Sequence, residues 1–157
     1  MDYTVAFNWG GLHGDIGLQR ETGELLYLLK ASDWPQRHFA VLDAGGTEVS
    51  HIRITSPLLG RAYLIQSDGS TVGRTRTNWC WSRGYIEVAD LPAASCRYGW
   101  GIKPILIFVA AGKPVASATL HRGVGVRWLL CVEDAAFDLP RFLVGCALIL
   151  RDWSSRG

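Results

Sequence analysis

Residues 142–150 read Phe-Leu-Val-Gly-Cys-Ala-Leu-Ile-Leu, an unbroken apolar run near the end of a chain of 157 residues. No polar stripe interrupts it, so a helix built from it has no face for solvent and must be buried. The run is far shorter than the ~20 residues that span a bilayer. The pattern predicts a helix over 138–152. Asp138 is placed to cap its N-terminus. Pro140 fits the first turn, where a missing N–H is no loss, and Arg151 suits the negative end of the macrodipole. A strand is the rival reading for Leu148, Ile149 and Leu150; the cap and the length favour the helix.

Almost everything before this segment reads as strand. Four glycines are each followed three positions later by an aliphatic residue: Gly23 by Leu26, Gly46 by Val49, Gly69 by Val72 and Gly112 by Val115. Each lies between two strand-like runs, and glycine supplies the positive φ that tight hairpin turns need. The runs pair as 16–20 with 24–30, 37–42 with 47–54, 62–66 with 70–77, and 104–109 with 114–120. Residues 3–9 form a strand ahead of them. Residues 79–81 and 85–89 supply a further pair joined through Ser82, Arg83 and Gly84. Residues 91–95 read as a loop, 98–101 as a glycine-loosened link, and 124–132 as the last strand. Any meander repeats its turn chemistry, so the recurrence speaks for antiparallel topology more than for duplication.

The total is about ten strands and one helix. No linker or low-complexity stretch divides the chain, so a single domain over 1–157 is expected, long enough to bury a sizeable core. Many short meandering strands close into a barrel or stack as a sandwich. A helix of about 15 residues is about 22 Å long, and strands of about seven residues reach the same length. The helix can therefore fill a closed barrel lengthwise, where a wide barrel needs a core.

Composition narrows the function classes. Hydrophobic residues make up 48% and charged residues 19%, which is globular rather than disordered. A net charge of +2 and a pI near 8.4 permit attraction to phosphates without demanding it. The basic residues are scattered, so nucleic acid is not an expected partner. Cys80, Cys96, Cys131 and Cys146 form no Cys-x-x-Cys and no zinc-finger spacing; they read as reduced thiols of a cytoplasmic protein. The first residues lack the basic and apolar regions of a signal peptide, and no transmembrane span is expected. His13, His38, His51 and His121 are spread along the chain, with no nucleophile elbow, zinc-protease motif or phosphate loop beside them. Glu133 and Asp134 precede a helix, where acids suit the dipole better than they suit a paired-carboxylate site. No catalytic residue, metal ligand or cofactor is expected.

One stretch is chemically pointed. Arg74 and Arg76 alternate along a strand and so share a face, with Val72 beside them. Arg83 stands in the next turn. Arg97 and Lys103 flank the link that carries Trp100, and Trp79 and Trp81 are close in sequence. Arginine pairs phosphate bidentately and tryptophan is amphipathic, so this set suits an anionic headgroup at a lipid interface. The bland alternative is a solvated outer face with tryptophan filling the interior. His51 and Arg53 form a lesser basic face, opposite Ile52 and Ile54.

The turn Val41-Leu-Asp-Ala-Gly-Gly-Thr-Glu-Val, the Ser67-Asp-Gly hairpin, the late Ala-Gly-Lys-Pro-Val-Ala hairpin and the closing apolar helix resemble the LURP-one-related proteins. Those are grouped with the tubby C-terminal domain and the phospholipid scramblases. The resemblance covers about residues 15–153 and rests on the order and spacing of the motifs. It implies a mainly β fold, a closed antiparallel barrel of about 10–12 strands enclosing a C-terminal hydrophobic helix, and no enzyme activity. Tubby domains bind phosphoinositides at membranes and scramblases are linked to lipid movement. The resulting expectation is a monomeric, non-enzymatic module, cytoplasmic or peripheral to a membrane, that binds anionic phospholipid or phosphoinositide headgroups. A structural or protein-interaction barrel without a small ligand is the alternative, and a scramblase-like activity is another.

Overall fold

Asp68 and Gly69 take positive φ of 52° and 77°, and Ala111 and Gly112 take 51° and 77°. Two successive positive φ values define the two-residue hairpin turn whose twist matches that of the flanking strands. Positive-φ glycines also close the turns at Gly23 and Gly46. The computed structural model describes residues 1–8, 14–32, 38–56, 60–78, 83–99, 105–123 and 125–154. Its strands are β1 (Asp2–Phe7), β2 (Ile16–Arg20), β3 (Leu25–Ala31), β4 (His38–Asp43), β5 (Glu48–Ser56), β6 (Gly60–Ser67), β7 (Ser70–Asn78), β8 (Arg83–Val88), β9 (Ala94–Gly99), β10 (Ile105–Ala110), β11 (Lys113–Gly123) and β12 (Gly125–Val132). Each pairs antiparallel with its neighbour in sequence, and β1 pairs with β12, so the sheet is a closed twelve-stranded barrel. Closure leaves no sheet edge unpaired.

The helix α1 (Pro140–Ser154) fills the barrel. Every residue from Phe142 to Leu150 is buried, as the all-round apolar run requires. The expected cap is corrected. Asp138 ends a 3-10 turn (Ala135–Phe137), and α1 begins at Pro140. Leu139 accepts the first helical bond from Leu143 N at 3.0 Å. The Asp138 carboxylate instead accepts a hydrogen bond from the Tyr3 hydroxyl, tying the helix entry to β1.

Two glycines bring α1 against the wall. A Cβ on Gly145 would lie 3.1 Å from Ile86 Cγ2 and 3.3 Å from Thr75 Cγ2, and one on Gly84 would lie 3.2 Å from Ile149 Cδ1. The helix therefore rests closely on β7 and β8. Gly145→Ala is expected to be nearly neutral, because higher helix propensity offsets a small clash. Gly145→Val is expected to cost about 1–3 kcal/mol by over-packing, read from the urea midpoint.

At its far end α1 is held by polar bonds. The Tyr63 hydroxyl donates to Asp152 Oδ1 at 2.9 Å and Thr77 Oγ1 donates to Oδ2 at 3.1 Å. Arg151 Nη1 donates to the Tyr63 hydroxyl at 3.3 Å, with its guanidinium 4.9 Å from the Phe39 ring centroid. Trp128 Nε1 donates to Ser154 Oγ at 2.7 Å.

Two expectations about the middle of the chain are corrected. Arg83 and Gly84 belong to β8 rather than to a turn, and β9 takes in Ala94 and Ser95 of the expected loop and Tyr98 and Gly99 of the expected link. The expected strand at 79–81 lies outside the described residues. Among the described residues no helix is long and apolar enough to cross a membrane.

Candidate anion-binding face

Alternation along a strand sends one set of side chains to the helix and the other to the outside. On β7, Gly73, Thr75 and Thr77 are buried while Arg74 and Arg76 are exposed. On β8, Gly84, Ile86 and Val88 turn inward, and Arg83, Tyr85 and Glu87 turn outward. On β9, Ala94 and Cys96 turn inward, and Ser95 and Arg97 turn outward. Four of the six expected site residues, Arg74, Arg76, Arg83 and Arg97, thus share the outer face of three adjacent strands. Trp100 and Lys103, the other two, lie outside the described residues, as do Trp79 and Trp81.

Register fixes their neighbours. Arg74 stands opposite Glu87, Arg76 opposite Tyr85, and Arg83 opposite Arg97. The Arg76 guanidinium lies 5.3 Å from the Tyr85 ring centroid, a cation–π contact that steadies its orientation. Like charges directly opposed across a strand pair repel. Among the described residues the ion pairs are Arg20 with Glu24 and His51 with Glu48, so neither Arg83 nor Arg97 is neutralised by a carboxylate there. An anion seated between them would remove that repulsion.

Beside this face runs a half-open groove of about 510 Å³. Arg74, Arg76, Tyr85 and Glu87 line one side, and Thr55, Ala62 and Leu64 the other. Its lining thus combines two arginines with apolar Ala62 and Leu64. Arg53, on β5, stands opposite Leu64 and extends the positive field around the barrel. His38 and His51 stack with ring centroids 5.4 Å apart, a pairing across β4 and β5 that their separation in the chain conceals.

Among the described residues the cysteines, Cys96 and Cys146 inside the barrel and Cys131 on the outer side of β12, offer no comparable chemistry. Burial pushes the Cys96 thiol up to about 12. Burial, with Cys96 nearby, raises Cys146. A hydrogen bond to the Asp2 carboxylate, with burial, raises Cys131. A thiol held protonated is a poor nucleophile. Cys96, Cys131 and Cys146 are free, and Cys80 lies outside the described residues. Among the described residues no group of three or more His, Cys, Asp or Glu side chains could hold a metal ion.

The architecture recurs in a solved structure. The chain is similar to a protein from Arabidopsis thaliana determined by X-ray crystallography, with a TM-score of 0.59 and 12% identity over 99% of this chain and 92% of that one. At that identity the likeness shows the fold alone. No protein-family model matches the chain, and no curated protein is similar to it.

Proposed function

We propose that this chain is a non-enzymatic barrel module, of the kind its LURP-one-related motifs resemble, that binds anionic phospholipid headgroups through the outer face of β7–β9. The observation that carries the reading is the convergence of Arg74, Arg76, Arg83 and Arg97 on that face, with Arg83 directly opposite Arg97. Guanidinium groups pair phosphate bidentately, and each basic side chain near an anionic membrane contributes about 1 kcal/mol. The barrel interior is occupied by α1, which leaves the outer surface for a ligand.

Vesicle flotation tests it. Wild type should float with vesicles containing phosphatidylserine and not with phosphatidylcholine alone, and added salt should weaken the association. Arg74→Glu/Arg76→Glu should lower the binding at least about tenfold with an unchanged urea midpoint. Excess inorganic phosphate in a parallel arm separates a site for free anions, which it would saturate, from a site that needs a charged surface. Equal flotation with both vesicle types, or with wild type and the double variant, would leave a protein-interaction barrel as the better account.

A further inference from the structure

Strand β10 departs from the polar exterior. Its inward residues Leu106, Phe108 and Ala110 belong to the core, which points Ile105, Ile107 and Val109 outward. None of these three packs against the core, and each is half-buried at the surface. An antiparallel sheet with one wet face normally alternates apolar inward and polar outward. β10 instead sets three aliphatic side chains in a row on the outside and carries no charge at all.

The row adjoins the arginine face. Ile107 is the register partner of Arg97, which is in turn the partner of Arg83. Ser95 lies beside Val109 on β9, and Ser117 and Thr119 lie beside Ile107 and Ile105 on β11. The apolar row is thus bounded by Gly99, Arg97 and Ser95 on β9 and by Thr119, Ser117 and Pro114 on β11.

We infer that β8, β9 and β10 form a single membrane footprint. The barrel lies on its flank against an anionic bilayer, with Ile105, Ile107 and Val109 seated at the boundary between headgroups and acyl chains and with Arg83 and Arg97 at the phosphate level. This rests on the headgroup reading above and adds its apolar half. Curvature sets the size of the footprint. Twelve strands share 360°, or about 30° each, so a flat surface meets about three neighbouring strands. Among the described residues, β8–β10 is a set of three that combines opposed arginines with an aliphatic row. Arg74 and Arg76, one strand further round, stand at its rim. A lipid surface is the occupant that fits, because it places phosphate and methylene side by side along its whole extent. The arginine stem can lie on the apolar part while its head stays with the phosphate.

The test uses the full chain, vesicles of phosphatidylcholine with and without phosphatidylserine, and low and high salt. Wild-type binding to the anionic vesicles should persist in part at high salt, because burial of aliphatic surface is not screened. Ile107→Thr/Val109→Thr keeps β-branched residues in the strand, and Ile105→Thr serves as a second, milder variant. The double variant should lose about tenfold of the high-salt binding and much less of the low-salt binding, as expected for two aliphatic side chains no longer buried. Wild-type affinity in both variants at high salt, or wild-type binding abolished by salt, would overturn the footprint and leave the headgroup reading standing. Absence of wild-type binding to phosphatidylserine vesicles at low salt would overturn both.

Discussion

Phe142→Ala is expected to lower the free energy of unfolding by about 3–5 kcal/mol. Phe142 opens the buried stretch of α1 at 1% exposure. Its ring lies edge-on to Phe137 and Phe108, with centroids 5.1 and 6.2 Å away. The helix is enclosed by a closed wall, so the surroundings cannot collapse into the space the ring leaves, and the cavity contribution should approach its full size. The lost edge-to-face contacts add to it. Urea unfolding at constant m-value is the measurement, with Leu129→Ala as the control. Leu129 is 43% exposed on β12 and its truncation should stay within about 0.5 kcal/mol. A loss at Phe142 no larger than that of the control would mean that α1 does not serve as the barrel's core.

Asp152→Ala is expected to cost about 2–4 kcal/mol. The Asp152 carboxylate is 1% exposed and accepts from both the Tyr63 and the Thr77 hydroxyls. Alanine would remove the charged acceptor that both hydroxyls share, and a hydrogen bond to a charged group contributes about 1.5–3 kcal/mol. Tyr63→Phe should cost less, because Thr77 still reaches the carboxylate. These bonds run from β6 and β7 to the last turn of α1, so they add to the close contact at Gly145 a second point that holds the helix in register. Amide exchange along residues 148–152 should rise in Asp152→Ala before global unfolding. Unchanged stability and exchange would show that apolar packing alone sets the register.

The helix and most hairpins were legible in the sequence because their signals are local. An uninterrupted apolar run can only be buried, and glycine at a two-residue turn answers a backbone demand that few other residues meet. β9 was illegible for a physical reason. Its inward residues are Ala94 and Cys96, which are small, and Gly84 on the adjacent strand leaves room for Ile149 of the helix. Where the helix presses on the wall, the wall is built from residues that give a weak hydrophobic alternation. The same effect disguised Gly84 as a turn residue, when a glycine within a strand marks a close approach. Asp138 was misread as a cap because the bond to Tyr3 spans nearly the whole chain.

The candidate face was partly legible for the same reasons. Arg74 and Arg76 follow from alternation alone. That Arg83 faces Arg97 depends on the pairing of β8 with β9, which alternation along a single strand does not reveal. The Tyr85 ring under Arg76 and the aliphatic row of β10 are likewise cross-strand facts. Ile105, Ile107 and Val109 lie in a run that is apolar at every position, and such a run does not reveal which half of it faces water.

Ring closure dictates an order of events during synthesis. β1 leaves the ribosome first among the strands, yet one of its two lateral partners, β12, is translated only after every other strand, and α1 follows that. Until then the nascent meander is a ribbon with two sticky margins and a greasy concave side. The β1–β12 contact that closes the ring is therefore among the most distant in sequence, and closure of so long a loop is a slow, late event in folding.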